Sequence, residues 1–312
     1  MKTKLLVIVG PTASGKTGLS IEIAKAYDGE IISADSMQIY RGMNIATAKP
    51  SADEMQGVKH HLIDFLDTDE VYSVGKFVED AQAVIRDISG RGKLPIVCGG
   101  TGLYIDSLIN GISFMENSSD SHLRAELTEL AEKNGVEYLL RMLLEFDPYS
   151  YMRLYEEKNV KRIVRAIEFY KTTGKTITEQ NENSRSDEPQ YDYVIIGLTA
   201  KDRSYIYDRI NKRVDMMVEN GLVEEAREVL NSQLSDTSSK AIGYKQLIPY
   251  FNGEASLEEC IDKLKTETRH YAKRQLTWFR RNESIIWINI DEYKTKEEQL
   301  DLVRDILKNR GF

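Results

Sequence analysis

LLVIVGPTASGKT, residues 5–17, decides how this chain is read. Leu5 to Val9 form an unbroken apolar run with no polar alternation, the pattern of a strand buried on both faces and so of a parallel sheet. That run passes directly into Gly10, Pro11, Thr12, Ala13, Ser14, Gly15, Lys16 and Thr17, which match the spacing G-x-x-x-x-G-K-[ST]. Glycines there let the backbone turn so that successive N–H groups converge on phosphate oxygens. The helix that follows adds its positive N-terminus, Lys16 neutralises charge, and the Thr17 hydroxyl is placed to bind a magnesium ion. Chance supplies this pattern in roughly one chain in a hundred of this length, and less often between a strand and a helix. The segment reads as a binding loop for a diphosphate or a nucleotide.

Working outward, helix-period residues Leu19, Ile23, Ala24 and Tyr27 follow the loop, and Glu30 to Ser33 reads as a second short strand. Leu62 to Phe65 is a further strand candidate, Val74 to Ile88 a helix, and Leu94 to Cys98 a strand. Alternation of this kind predicts parallel strands joined by right-handed crossovers. After Gly111 the pattern is helical to about Lys175, and 180–190 (QNENSRSDEPQ) reads as a linker. Strand character returns at Tyr193 to Leu198, followed by a helix from Asp202 to Asn220 and a late strand, Ile285 to Ile290. The expected fold class is α/β, a P-loop NTPase-like parallel sheet core with an inserted all-helical domain. Its boundaries fall at 1–112 for the first part of the core, 113–189 for the insertion, and 190–312 for the remainder.

The 312 residues suit about two domains at roughly 150 residues each. With 41% hydrophobic and 29% charged residues, collagen-like and wholly disordered chains are excluded. Cys98 and Cys260 are too few for a disulfide framework or a four-cysteine zinc site, which favours a reducing compartment. Leu5 to Gly10 is too short for a signal peptide's apolar region, and no window approaches the roughly 18 apolar residues of a membrane span. The expectation is a cytoplasmic protein with no membrane partner.

Strand two delivers Asp35 to the sheet edge that carries the phosphate loop, where open α/β sheets place their ligands. A carboxylate there can deprotonate a nucleophile or hold magnesium through water, or it can simply cap a following helix. The strand LPIVC ends in Cys98-Gly99-Gly100-Thr101-Gly102, without the acidic residue a nucleoside triphosphatase places there for magnesium. An ATP-dependent small-molecule kinase therefore stands as the alternative reading of the loop. A nucleotide-gated RNA-binding module is a second.

GPTASGKT, SADSMQIYRGMNIATAKP (33–50), HHLID (60–64), CGGTGLY (98–104), AIGYKQ (241–246) and TRHYAKRQLTWFRR (268–281), in this order, resemble the bacterial-type tRNA dimethylallyltransferases. The resemblance implies transfer of a dimethylallyl group from dimethylallyl diphosphate to N6 of the adenosine immediately 3′ of the anticodon in tRNA. The phosphate loop would then hold a departing diphosphate, with Mg2+ on Thr17 and charge neutralised by Lys16 and by Arg213 of NKRVD (211–215). Asp35 would be the general base. Carried over by position, Asp35, Ser36, Met37, Gln38 and Thr101 would contact the tRNA around the flipped base. Leu123, Asn159, Val160, Lys161, Arg162 and Ile163 would contact the anticodon arm from the insertion. A monomer is expected.

Net charge is −8, which alone argues against a nucleic-acid partner. Two segments depart from that mean. Residues 158–175 carry six cations against Glu168, and 265–281 carry six against Glu267, so each is +5 and the remainder is −18. The second interleaves Tyr271, Trp278 and Phe279, a mix that suits phosphates beside stacked bases, although aromatics at such spacing more often face a core. His60 and His61, adjacent on a strand, would point to opposite faces and not share a metal. Cys98 and Cys260 read as buried small hydrophobes rather than nucleophiles.

Overall fold

Residues 2–112, 120–183 and 189–312 are described by a computed structural model. In chain order, β1 (Thr3–Val9) and α1 (Lys16–Ala26) flank the phosphate loop. They are followed by β2 (Gly29–Ser33), the single-turn α2 (Ala52–Met55), β3 (His60–His61), α3 (Val74–Gly90), β4 (Leu94–Gly99) and α4 (Gly102–Ile109). A helical run then comprises α5 (Ser121–Asn134), α6 (Val136–Phe146), α7 (Pro148–Glu157), α8 (Val160–Thr173) and α9 (Ile177–Asn183). The α/β pattern resumes with β5 (Tyr191–Thr199), α10 (Arg203–Glu219), α11 (Leu222–Asn231), the short α12 (Ile248–Phe251) and α13 (Leu257–Phe279). It closes with β6 (Ile285–Asn289) and α14 (Lys296–Asn309).

All six strands pair in parallel, in the order β3-β2-β4-β1-β5-β6. Leu5 to Val9 of the central β1 are each fully buried, so both faces of the sheet are covered there, which is why the run is apolar without alternation. Leu6 and Ile8 pack with Leu19 and Ile23 of α1 and with Leu300, Val303 and Leu307 of α14 in one core cluster. In register, Val9 stands level with Gly99 of β4 and Gly197 of β5, and Ser33 of β2 with Cys98. The loops leaving β1, β2 and β4 therefore open at one carboxyl edge, and this levelling builds the site.

Two expectations change. The strand expected at Leu62 to Phe65 lies instead on the preceding His60–His61, because Leu62 (φ 56°) and Asp64 (φ 56°) adopt left-handed backbone that ends the extended run. The expected linker from 180 begins later, since α9 continues to Asn183, and residues 184–188 lie outside the described set.

The chain divides into two compact units, Met1–Leu108 with Gln190–Phe312, and Ile109–Pro189. The expected boundary at 113 falls outside the described residues. The helical unit has its own core, with Leu127, Leu139, Leu143, Ile163 and Ile167 almost fully buried. It also buries Glu168 completely. That carboxylate accepts from Arg124 Nη2 (2.9 Å), Arg165 Nη1 (3.2 Å) and the Asp120 N–H (3.1 Å). Glu168→Ala is expected to destabilise this unit by about 3 kcal/mol, at the low end for broken buried pairs because both arginines keep access to water. Urea unfolding checks it; an unchanged midpoint would show that the carboxylate contributes nothing net.

Candidate active site

The phosphate loop owes its shape to backbone that side chains rarely allow. Gly10 has φ 147°, and a Cβ there would stand 2.5 Å from the Leu198 carbonyl oxygen of β5, so glycine is required. Ala13 (φ 62°) and Gly15 (φ 96°) complete the turn, closed by Ser14 N–H donating to the Pro11 carbonyl (3.3 Å). α1 starts at Lys16 with no side-chain cap. Among the described residues, the N–H groups of Gly15, Lys16 and Thr17 have no protein acceptor, and they face the concavity as an anion-binding helix N-terminus does.

Lys16 Nζ donates to the Pro11 carbonyl (2.7 Å). Burial of its ammonium pulls its pKa from the usual 10.5 to about 8, with Cys98 and Asp35 opposing and Arg213 reinforcing the shift. Burial likewise pushes the Arg213 guanidinium down, and Arg213 Nη1 donates to Thr12 Oγ1 (3.3 Å). Two desolvated cations thus meet at the loop, and among the described residues no carboxylate is bonded to either. Such a site favours an anion with more than one charge. On its outer side, Arg209 and Lys212 line a second cavity of about 380 Å3, and Arg209 Nε donates to the Ala13 carbonyl (2.6 Å).

A cavity of about 310 Å3 lies inside the loop, and Lys16, Thr17 and Arg213 share its lining with Asp35, Ser36 and Met37. Asp35 does not cap a helix, because none begins there. Its Oδ1 accepts the N–H groups of Met37 (2.9 Å) and Gln38 (3.3 Å), shaping a tight turn. Oδ2 has no hydrogen-bond partner among the described residues. Thr101 Oγ1 accepts the Ser36 N–H (3.1 Å), tying the turn after β4 to the one after β2. Gln38 is committed to structure, donating to the carbonyls of Thr47 and Ala48 (3.2 Å each).

The expected GGTG turn is explained by close approach rather than by backbone angle, since neither Gly99, Gly100 nor Gly102 has positive φ. A Cβ on Gly99 would overlap the Ala34 carbonyl, on Gly100 the Gln275 amide, and on Gly102 the Trp278 ring. In the second basic segment Phe279 is buried, Trp278 Nε1 donates to Asp106 (2.6 Å), and Tyr271 and Arg274 line the cavity. Of its aromatics, then, two pack and one faces the site. Cys98 is only half-buried and lines the cavity, with its thiol pushed up by burial; Cys260 is buried. His60 and His61 part as expected. His61 Nε2 pairs with Glu30 (2.7 Å), and His60 faces the cavity.

In the helical unit, Asn159 caps α8 by accepting the Arg162 N–H (3.3 Å), while Lys161 and Arg162 are exposed. Val160 and Leu123 are half-buried, and Ile163 is fully buried among the helices. Lys158 pairs with Glu137 and Arg162 with Glu157, so part of the sequence's +5 is matched locally by acids outside the segment.

Two residues of the site escaped the sequence reading. Glu225 of α11, 9% exposed, accepts from the N–H groups of Asn44, Ile45 and Ala46 and from Tyr244 Oη (3.0 Å), binding together two segments that line the cavity. Gln275 of α13 is 6% exposed and bonds two backbone segments. The available signal was periodicity, which sets each polar residue on an apolar helix face, Glu225 beside Leu222, Ala226 and Val229, Gln275 between Ala272 and Phe279.

A phosphate loop and a half-free carboxylate facing one cavity, at the carboxyl edge of a parallel sheet, define a phosphate-loop α/β protein. Residues 38–282 match the family model described as IPP transferase. The chain is 50% identical over 310 residues to a tRNA dimethylallyltransferase of Acetivibrio thermocellus, covering 99% of this chain and 98% of that one. It is 50% identical over 298 residues to one from Bacillus cytotoxicus, covering 95% and 93%. It is also similar to the crystal structure of a tRNA isopentenylpyrophosphate transferase from Bacillus halodurans (TM-score 0.73, 41% identity, covering 99% and 97%). A eukaryotic dimethylallyltransferase acting on tRNA gives a TM-score of 0.83 at 30% identity, covering 99% and 80%. The chain belongs to the IPP transferase family.

Lys16 supplies a test of the loop. With a pKa of about 8 it is charged at pH 7 and loses its proton as pH rises through 8, so affinity for inorganic diphosphate is expected to fall above about pH 8. Lys16→Arg, charged throughout, should flatten that dependence. Calorimetry from pH 6.5 to 9.5 checks it, and parallel profiles for the two proteins would remove Lys16 from the binding step.

Proposed function

We propose that this chain transfers the dimethylallyl group of dimethylallyl diphosphate to N6 of the adenosine immediately 3′ of the anticodon in tRNA. The observation that carries the reading is the shared cavity. Lys16 and Thr17 of the phosphate loop and Arg213 of α10 line it together with Asp35, whose Oδ2 has no partner among the described residues. An N6–C1 bond forms, the C1–O bond to diphosphate breaks with its electron pair leaving on diphosphate, and an N6 proton passes to the Asp35 carboxylate. An exocyclic adenine amine is a weak nucleophile, so a carboxylate held in place by two backbone N–H groups is useful there. Adenine stacked in RNA cannot reach an enclosed cavity, and the base is therefore flipped out of the anticodon loop.

Among the described residues no cluster of three or more His, Cys, Asp or Glu side chains is poised around a metal. A divalent cation would depend on the ligand's phosphate oxygens, as magnesium sites commonly do. Thr17 suits it, since its hydroxyl lines the cavity and makes no protein hydrogen bond among the described residues. Mg2+ held there would offset charge developing on the leaving diphosphate. Lys16 and Arg213 hold the same group from the protein side, and the loop N–H groups orient it.

The kinase alternative shares the loop, but β4 ends at Gly99 with Cys98 where a γ-phosphate-transferring site needs an acid for magnesium. Among the described residues no helix is long and apolar enough to cross a membrane.

Incubation with tRNA, magnesium and labelled dimethylallyl diphosphate is expected to label the RNA. ATP hydrolysis with unlabelled RNA would instead establish the kinase-like reading. Asp35→Ala is expected to lower the single-turnover transfer rate about a hundredfold or more while tRNA affinity stays within about twofold. An unchanged rate would reduce Asp35 to a turn-former.

A further inference from the structure

α13 opens with a capping box, Ser256 with Glu259, and buries Cys260, Ile261, Leu264, Ala272 and Phe279 along one face. Gln275 interrupts that face. A buried amide is tolerated only when its polar atoms are bonded, and this one bonds at both ends. Oε1 accepts the Thr12 N–H (2.9 Å), and Nε2 donates to the Gly100 carbonyl (3.0 Å). Both partners are backbone, one in the phosphate loop and one in the turn after β4. Gly100 fits only because it lacks a side chain, for a Cβ would overlap Gln275 Nε2.

The Pro11–Thr12 peptide carries the consequence. In a planar trans peptide the N–H and C=O point in opposite directions. Its N–H is held by Gln275, so its carbonyl is aimed to the far side, where it accepts from Lys16 Nζ (2.7 Å) and the Ser14 N–H (3.3 Å). Rotation of this one peptide plane would withdraw the acceptor from Lys16 and turn an N–H toward its ammonium. The far end of the amide reaches the side of Asp35. Gly100 precedes Thr101, whose N–H donates to the Ala34 carbonyl (3.2 Å) and whose hydroxyl accepts the Ser36 N–H.

We infer that Gln275 is a positioning residue for group transfer. By locking the Pro11–Thr12 peptide against the Gly100 carbonyl, it sets where Lys16 meets diphosphate and holds the phosphate loop at a fixed distance from the turn that carries Asp35. Gln275 sits between the exposed cations Lys273 and Arg274 on one side and Arg280 on the other. Its own role is toward the donor diphosphate, not toward RNA. The kinetic arm of the test rests on the prenyl-transfer reading; the binding arm does not.

Gln275→Leu keeps approximate volume and removes both bonds. Gly100→Ala disturbs the same contact from the opposite side. Each protein is tested for inorganic diphosphate affinity by calorimetry, for kcat and KM toward dimethylallyl diphosphate and tRNA, and for Tm. Gln275→Leu is expected to weaken diphosphate binding and lower donor kcat/KM, each about tenfold, with the tRNA KM within about twofold. Combined with Gly100→Ala the losses should be less than additive, because both substitutions break one contact. A lower Tm with unchanged diphosphate affinity and donor kcat/KM would reduce Gln275 to a packing residue, and a rise confined to the tRNA KM would make it an RNA contact. Either result overturns the proposal. Should the leucine variant fail to fold, Gly100→Ala alone decides between the same outcomes. A wild-type protein that binds diphosphate yet transfers nothing would refute the prenyl-transfer reading while leaving the calorimetric test of Gln275 intact.

Discussion

Close approach of backbone to backbone at the carboxyl edge of the sheet is the constraint on which the site depends. Gly10 lies against the Leu198 carbonyl, Gly99 against Ala34, and Gly197 where a Cβ would stand 2.5 Å from the Ile285 side chain. Any side chain at the first two would separate loops whose groups must reach one ligand. Interiors this dense deform little, so an added methyl would displace a loop rather than be absorbed. The phosphate loop and the Asp35 turn are held together through the GGTG turn, and a separate tie braces another part of the cavity lining. Gln275 joins loop to GGTG turn, Thr101 joins that turn to Ser36, and Glu225 anchors residues 44–46 beside the Tyr244 segment. Gly243 permits the last contact, since a Cβ on it would come within 2.6 Å of Ala46 Cβ.

Electrostatically the site is the reverse of a stable interior. Lys16 and Arg213 are desolvated and repel each other, and the side chain of neither is hydrogen-bonded to a carboxylate among the described residues. Burying cations this way opposes folding, and a bound polyanion offsets that opposition. Glu30 shows the opposite solution in the same sheet. Arg91 and His61 both bond it, and the Arg91 hydrogen bond, the larger influence, helps hold its pKa near 2. One charged group is satisfied and structural, while the other pair awaits its partner. That contrast separates binding groups from scaffold better than burial does.

The phosphate loop was legible because its meaning is local, with a strand, a spacing and a helix start falling within fifteen consecutive positions. Strand positions were legible in part, since β1, β2, β4, β5 and β6 are apolar runs. The edge strand β3 was missed by a few residues because left-handed backbone at Leu62 and Asp64 leaves no mark in hydropathy. Asp35 was placed at the right edge, and the capping alternative for it fails because the segment forms a tight turn and no helix; caps and tight turns draw on one property, a short side chain that accepts backbone N–H groups. Periodicity could mark Gln275 and Glu225 as polar residues on apolar helix faces, but what they bond was illegible for a different reason. Their partners lie far away in sequence, 263 positions for the Thr12 N–H and about 180 for the loop at Asn44, and no local pattern encodes such a bond. The pairing of basic residues is shorter in range, with Glu157 and Glu137 lying 5 and 21 positions from their partners, but both glutamates fall outside the segment whose charge was counted.

That pairing changes how the charge count bears on RNA. Lys158 and Arg162 are bound to Glu137 and Glu157, and Arg165 and Arg124 to the buried Glu168. The first two pairs are exposed, and an exposed pair contributes at most about 1 kcal/mol, so a phosphate can replace the carboxylate at little loss. Arg165 is different, because releasing it would remove one of the two arginines that compensate a buried carboxylate. Among the described residues the 158–175 segment therefore presents Lys161, Lys171 and Lys175 without a carboxylate partner, offers Lys158 and Arg162 by exchange, and withholds Arg165. Each exchange also leaves a glutamate near the incoming phosphate, which penalises any polyanion that does not place its charges against the cations. Local pairing lowers affinity for nucleic acid in general and makes the geometry of the partner matter more.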